Sequence, residues 1–105
     1  MKMRAKILAF TFSTLTTKQG KTLEKARVKV QDVGNETNGD LLAYWIDFLG
    51  EQAPSEVELQ AILHEEADID IRRVSCSKGK DGGVFLNLTG GTIWQDNKAI
   101  QGQGR

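Results

Sequence analysis

Hydrophobic and polar positions alternate with a period of two along much of this chain, most cleanly in the segment Ala26 to Gln31. There Ala26, Val28 and Val30 take one parity, and Arg27, Lys29 and Gln31 the other. That spacing predicts a half-buried strand, from about Leu23 to Gln31, with one apolar and one cationic face. Asp32 to Asp40 holds two glycines, two asparagines and two aspartates, which is turn chemistry. Leu41 to Phe48 is apolar and aromatic, so it predicts a second strand pairing antiparallel with the first. Ahead of them, Met3 to Phe12 places Ile7 and Ala9 on one parity and Leu8, Phe10 and Phe12 on the other. A strand apolar on both faces is central, or curved into a closed core. Ser13 to Thr22 is a polar connection in which Gly20 permits a tight turn.

The period changes after Gly50. Ser55 followed at the third position by Glu58 is a capping box, with Pro54 just ahead. Leu59, Ile62, Leu63 and Ala67 then share a face at helical spacing, which predicts an acidic helix running from Glu56 toward Asp70. Ile69 to Cys76 reads as a fourth strand, its parity changing at Arg72-Arg73 in the manner of a bulge. Lys78 to Gly83 is a basic, glycine-rich hairpin loop. In a fifth strand Val84, Leu86 and Leu88 alternate with Phe85, Asn87 and Thr89, and Gly90-Gly91 introduces a bend before Thr92-Ile93-Trp94. The expected domain is 3–95, with 96–105 a flexible C-terminal tail rich in Gln and Gly.

At 105 residues, 39% hydrophobic and 27% charged, the composition is that of one soluble globular domain with a modest core. The lone Cys76 excludes an internal disulfide framework and suits a reducing compartment. The apolar run Ile7 to Leu15 after a basic start has the outline of a signal peptide. It is broken by threonine and serine, lacks a small-residue cleavage site and alternates as a strand does, so the expected location is cytoplasmic, away from any membrane.

Net charge is zero, but its distribution is uneven. Residues 1–29 carry eight Lys/Arg and one acid; residues 30–71 carry eleven acids and no Lys or Arg; residues 72–105 carry six Lys/Arg and two acids. If the two basic segments meet in space, the molecule is dipolar and one side attracts a polyanion.

Three strands, a helix and two strands make a mainly β chain, in the order of the five-stranded oligonucleotide/oligosaccharide-binding (OB) barrel with one α-helix between strands three and four. Another small antiparallel barrel or a β-sandwich is the alternative. Over roughly residues 5–94 the chain resembles single-stranded DNA-binding proteins of that fold, the bacterial single-strand binders and replication protein A domains. The resemblance is carried by Val28-Lys29-Val30-Gln31-Asp32-Val33-Gly34, Tyr44-Trp45-Ile46-Asp47 and Ile69-Asp70-Ile71. It is a pattern rather than a fixed motif, and Glu66-Ala67-Asp68 stands where those domains usually have a glycine-aspartate turn.

The resemblance implies a ligand lying across strands two and three, walled by the loops joining strands one to two and four to five. In this chain those loops carry Lys18 and Lys21, and Lys78 and Lys80. Arg27 and Lys29 lie on the outward parity of strand two, and Arg72 adds a cation at the bulge. Tyr44 or Trp45, and Phe85, are candidate stacking platforms; of the neighbours Tyr44 and Trp45 one faces the core and the other solvent, and the sequence leaves open which. Phe10, Phe12 and Phe48 are expected in the core, while Trp94 could close the barrel or meet another subunit.

Catalysis has little support. Asp32, Asp40 and Asp47 could make a carboxylate group but are read as turn formers, His64 as a surface residue, and the glycine pairs open no helix that could cradle a phosphate. No catalytic residue, metal site or cofactor is expected. The expected partner is single-stranded DNA, or RNA, bound without chemistry. A protein–protein adaptor using its acidic face is the alternative, and a homodimer would add multivalency.

Overall fold

A computed structural model describes residues 2–33, 43–96 and 98–100. Most of the expected turn (34–40) and the first two residues of the expected third strand (41–42) lie outside the described residues, as do 101–105. The described chain is mainly β: β1 (Lys2–Thr16), β2 (Thr22–Asp32), β3 (Ala43–Leu49), a 3-10 turn (Gly50–Gln52), α1 (Glu56–Ala61), β4 (Glu66–Lys78), β5 (Val84–Gln95) and β6 (Lys98–Ile100).

The strands form one sheet in the order β3-β2-β1-β4-β5-β6, and a further pairing of β3 with β5 closes five of them into a ring. That closing seam is parallel and short, with Ile46 opposite Leu88 and Asp47 opposite Thr89. The other pairings are antiparallel. Alternation decides which side chains fill the ring. Ala5 and Ile7 of β1, Ala26, Val28 and Val30 of β2, Ile46 and Phe48 of β3, and Ala67, Ile69 and Ile71 of β4 are all buried. Leu59 and Ile62 cap this core from α1 and its C-terminal end.

The helix is much shorter than its apolar spacing suggests. The capping box forms: the Glu58 N–H donates to Ser55 Oγ at 3.2 Å, and the Ser55 N–H donates to Glu58 Oε1 at 3.0 Å. The chain leaves the helix at Ile62, and His64 adopts a left-handed φ of 69°. The His64 N–H then donates to the Ile7 carbonyl (2.7 Å), and the Ile7 N–H donates to the Glu65 carbonyl (3.0 Å). These bonds start β4 alongside β1, so Ala67 is the first inward rung of a strand rather than the last apolar position of a helix. Because the helix has only six residues, its cap is a large part of its stability. Ser55→Ala is expected to cost about 1 kcal/mol, read as a lower midpoint in urea unfolding with an unchanged m-value.

Gly90 and Gly91 lie within β5, each beneath a large side chain, where the register with β4 shifts between Gly90 and Ile93. Two further expectations are corrected. Lys98–Ile100, expected in the tail, pairs with Ile93–Gln95 as β6. Of the three phenylalanines expected in the core, Phe48 is buried and Phe10 packs partly against it, but Phe12 is exposed. Phe12 falls where β1 has run past its pairing with β4, and it lines an open pocket with Ala53, Pro54 and Ser55 instead of entering the core. The parity change at Arg72-Arg73 does correspond to register shifts, which fall between Ile69 and Ile71 and between Ile71 and Arg73.

Candidate nucleic-acid interface

On β2 and β3 the outward parity carries the charge. Lys25, Arg27 and Lys29 of β2 stand opposite Leu49, Asp47 and Trp45 of β3. Trp45 is 38% exposed, whereas Tyr44 points the other way and packs partly against the core. The register thus settles which of the two aromatic neighbours faces solvent. The Arg27 guanidinium lies 5.3 Å from the Trp45 ring centroid and the Lys29 ammonium 6.0 Å from it, both within cation–π range. Asp47 anchors the cluster from below: its carboxylate is 3.6 Å from Arg27 Nε and 3.7 Å from Lys25 Nζ. Those separations make ion pairs, but they are too long for hydrogen bonds. Arg27 is therefore oriented by Asp47 without being held in a tight pair.

The seam between β3 and β5 ends at Ile46 and Leu88, and toward their N-terminal ends the strands part. An open groove of about 530 Å³ lies there, lined by Arg27, Ala43, Tyr44 and Trp45 on one side and Ser77, Leu86 and Asn87 on the other. Asn87 Nδ2 donates to Ser77 Oγ at 3.1 Å, which fixes a polar pair on the β4–β5 wall. The groove thus offers an aromatic ring and the Arg27 guanidinium facing amide and hydroxyl groups, with Lys29 beside the Trp45 ring. Sequence reasoning missed Ser77, Leu86 and Asn87, because in a strand pattern nothing distinguishes wall residues from an ordinary solvated face.

β1–β2 and β4–β5 continue beyond the ring as two arms, and their turns are built alike. In one, the Thr17 N–H donates to the Lys21 carbonyl (2.7 Å) and the Gly20 N–H to the Thr17 carbonyl (2.9 Å). In the other, the Gly79 N–H donates to the Gly83 carbonyl (2.7 Å) and the Gly82 N–H to the Gly79 carbonyl (3.1 Å). Each needs a left-handed residue at its fourth position, supplied by Gly20 (φ 83°) and Gly82 (φ 85°). Each also displays an exposed lysine at its second position, Lys18 or Lys80, with Lys21 and Lys78 exposed beside the turns.

The structure therefore brings Arg27, Lys29, Trp45 and the rim of Tyr44 together at one groove, and sets Lys18, Lys21, Lys78 and Lys80 on the two arms. Arg72 is placed elsewhere: its side chain lies along Gly91 and does not line the groove. Phe85 stands opposite Ser77 in the β4–β5 register, and its side chain lies outside the described residues. Trp94 sits toward the far end of β5, opposite Asp68 and Ala99, with the Lys2 ammonium 5.7 Å from its ring.

Beyond α1 the acidic segment is strand rather than helix. Glu66, Asp68 and Asp70 are alternate residues of β4, directly opposite Lys6, Arg4 and Lys2 of β1. Arg4 reaches both Glu66 and Asp68 at 3.3 Å. The hydrogen bond to Glu66 holds the Arg4 guanidinium pKa above its ordinary value. This ladder balances the first three cations of the basic N-terminal segment against acids of the middle segment. Lys18, Lys21, Lys25, Arg27 and Lys29 remain as that segment's contribution to the β1–β2 arm and the patch.

Among the described residues no group of three or more His, Cys, Asp or Glu side chains could hold a metal ion, and no helix is long and apolar enough to cross a membrane. No protein-family model, curated protein or solved structure matches this chain.

Proposed function

We propose that this chain is an OB-fold protein that binds single-stranded nucleic acid, DNA in preference to RNA, with little base specificity and no catalysis. The observation that carries the reading is the cluster of Trp45, Arg27 and Lys29 at the mouth of the groove. A stacked base needs an exposed ring, and the phosphates beside it need cations. The closed ring, with its helix between β3 and β4, supports the assignment of the fold. In barrels of that kind strands two and three, with the loops joining strands one to two and four to five, contact oligonucleotides. Here those loops end in exposed lysines. Indifference to base sequence fits stacking, since every base has a π-face.

The test is titration of labelled oligo-dT and oligo-U at several salt concentrations. Affinity is expected to fall with salt, with a log–log slope of about −0.7 for each phosphate contacted, and oligo-dT is expected to bind more tightly. Replacing Lys21, Lys29 and Lys80 together by alanine is expected to weaken binding at low salt and flatten that slope by about 2. An unchanged slope removes the arms and the patch from the phosphate path. A second reading, a protein–protein assembly module, is favoured by the exposed apolar residues Phe12, Leu15, Val74 and Leu86. Absence of oligonucleotide binding even at low salt would select it.

A further inference from the structure

We infer that the pocket between the β1–β2 arm and the start of α1 is a docking site for an arginine side chain, presented by an exposed basic segment of a partner protein. The inference stands apart from the nucleic-acid reading. The pairing of β2 with β3 runs from Lys25 opposite Leu49 to Gln31 opposite Ala43. The groove beside Trp45 opens at the Ala43 end, and this pocket lies at the Lys25 end.

The sequence builds the pocket from two directions. On β2 the inward parity that carries Val30, Val28 and Ala26 next reaches Glu24, the sole acid among residues 1–29. In the β1–β2 register Phe12 stands opposite Ala26 and Thr14 opposite Glu24, so Phe12 and Glu24 are diagonal neighbours on one face. The other side comes from the chain entering α1. There Ala53 and Pro54 are buried, and the capping box fixes Ser55. Phe12, Glu24, Ala53, Pro54, Ser55 and Glu56 line a pocket of about 430 Å³. Its floor is apolar, its wall is a half-exposed aromatic ring, and its rim carries exposed carboxylates from two different elements. Lys25 also lines it, but the Lys25 ammonium lies 3.7 Å from Asp47 Oδ2, so its charge is matched there.

Each part of that lining selects the same ligand. A purely apolar side chain would suit the floor but strip water from the carboxylates without replacing it. A phosphate would be repelled by them. A lysine ammonium is compact and holds its water strongly. A guanidinium is planar and weakly hydrated, lies against an aromatic ring, and offers forked N–H groups to carboxylates, while its methylene stem covers the apolar floor. The Ala53 N–H donates to the Gly50 carbonyl at 3.1 Å, and together with the capping box this bond sets the floor in place before any ligand arrives. Such preorganisation lowers the cost of binding.

NMR of the full chain, titrated with a glycine–serine peptide carrying one arginine, tests this. Saturable shifts are expected at Phe12, Glu24, Ser55 and Glu56, and added salt is expected to weaken them. A matching peptide with citrulline in place of arginine keeps the shape and loses the charge. It is expected to bind at least about tenfold more weakly, with a lysine peptide falling between the two. Glu24→Gln combined with Glu56→Gln is expected to weaken the arginine peptide by a similar factor while the rest of the spectrum stays native. An arginine peptide that shifts none of these signals overturns the proposal. So does a citrulline peptide that binds equally well, or a folded double variant that binds like the native chain. Shifts as large at Glu66, Asp68 and Asp70 as at the pocket overturn it as well, since any carboxylate would then serve. Pocket signals that move with protein concentration alone would make a second copy the occupant and overturn it too. Because no oligonucleotide enters these measurements, failure to bind oligo-dT leaves the inference standing.

Discussion

Trp45→Ala is expected to weaken oligo-dT binding by about 1–3 kcal/mol, roughly 5- to 150-fold, while leaving thermal stability nearly unchanged. Both parts follow from the position of the indole. It lies on the outward parity of β3, opposite Lys29, and contributes nothing to the buried core. Its removal deletes the ring on which a base would stack and the surface that holds Arg27 and Lys29 beside it. Trp45→Phe keeps a smaller aromatic face and is expected to fall between the two. Trp94→Phe is the control, because that ring lies toward the other end of β5 under Lys2 and lines no part of the groove. Anisotropy titrations paired with thermal melts separate loss of contact from loss of fold. Equal affinities for the native and Trp45→Ala chains would remove Trp45 from the binding surface.

The second large effect concerns stability. Gly90→Ala is expected to destabilise the fold by about 2–3 kcal/mol, in the range of overpacked cores, and to lower the melting temperature by roughly 10–20 °C. A β-carbon at Gly90 would stand 2.3 Å from Phe48 Cε1 and 2.6 Å from its Cζ. Phe48 is fully buried in the ring, so its aromatic face has nowhere to retreat. Gly91 is the instructive neighbour. A β-carbon there meets Arg72 Nε at 2.6 Å, but Arg72 is an exposed, flexible side chain that can swing aside. Gly91→Ala is therefore expected to cost much less than Gly90→Ala in the same urea or thermal unfolding experiment. Equal losses at the two positions would show that strand backbone, rather than the Phe48 contact, sets the cost.

These glycines also show where the sequence could be read and where it could not. Strict alternation in β2 fixed its inward and outward faces, because a charged face and a β-branched face cannot exchange without burying lysine. β3 has apolar side chains on both parities, so Tyr44 and Trp45 looked equivalent. A signal was present: Asp47 shares a parity with Trp45, and a charge opposite Ile46 and Phe48 marks the outer face. The charge ladder was legible too, since Lys2, Arg4 and Lys6 and then Glu66, Asp68 and Asp70 each repeat with period two. It was obscured by Leu59, Ile62, Leu63 and Ala67, whose spacing also satisfies a helix. What stops that helix is the left-handed turn at His64, which nothing in local composition marks. Gly90-Gly91 could be read only as a bend, because small residues that make room for a distant ring are indistinguishable, in one dimension, from those that relax a backbone. The groove was only half legible for a similar reason. Its cations and aromatic ring carry chemical signatures, but the Ser77–Asn87 wall is placed by the β4–β5 register alone.

Fluorescence of a Trp94→Phe chain, in which Trp45 is the only indole, tests the central claim most directly. Oligo-dT added at low salt is expected to quench that emission as the complex forms, and added salt is expected to restore it along the same curve that reports dissociation. A complex that forms with the Trp45 emission unchanged would contradict the account, because the strand would then be held somewhere other than on the β2–β3 face.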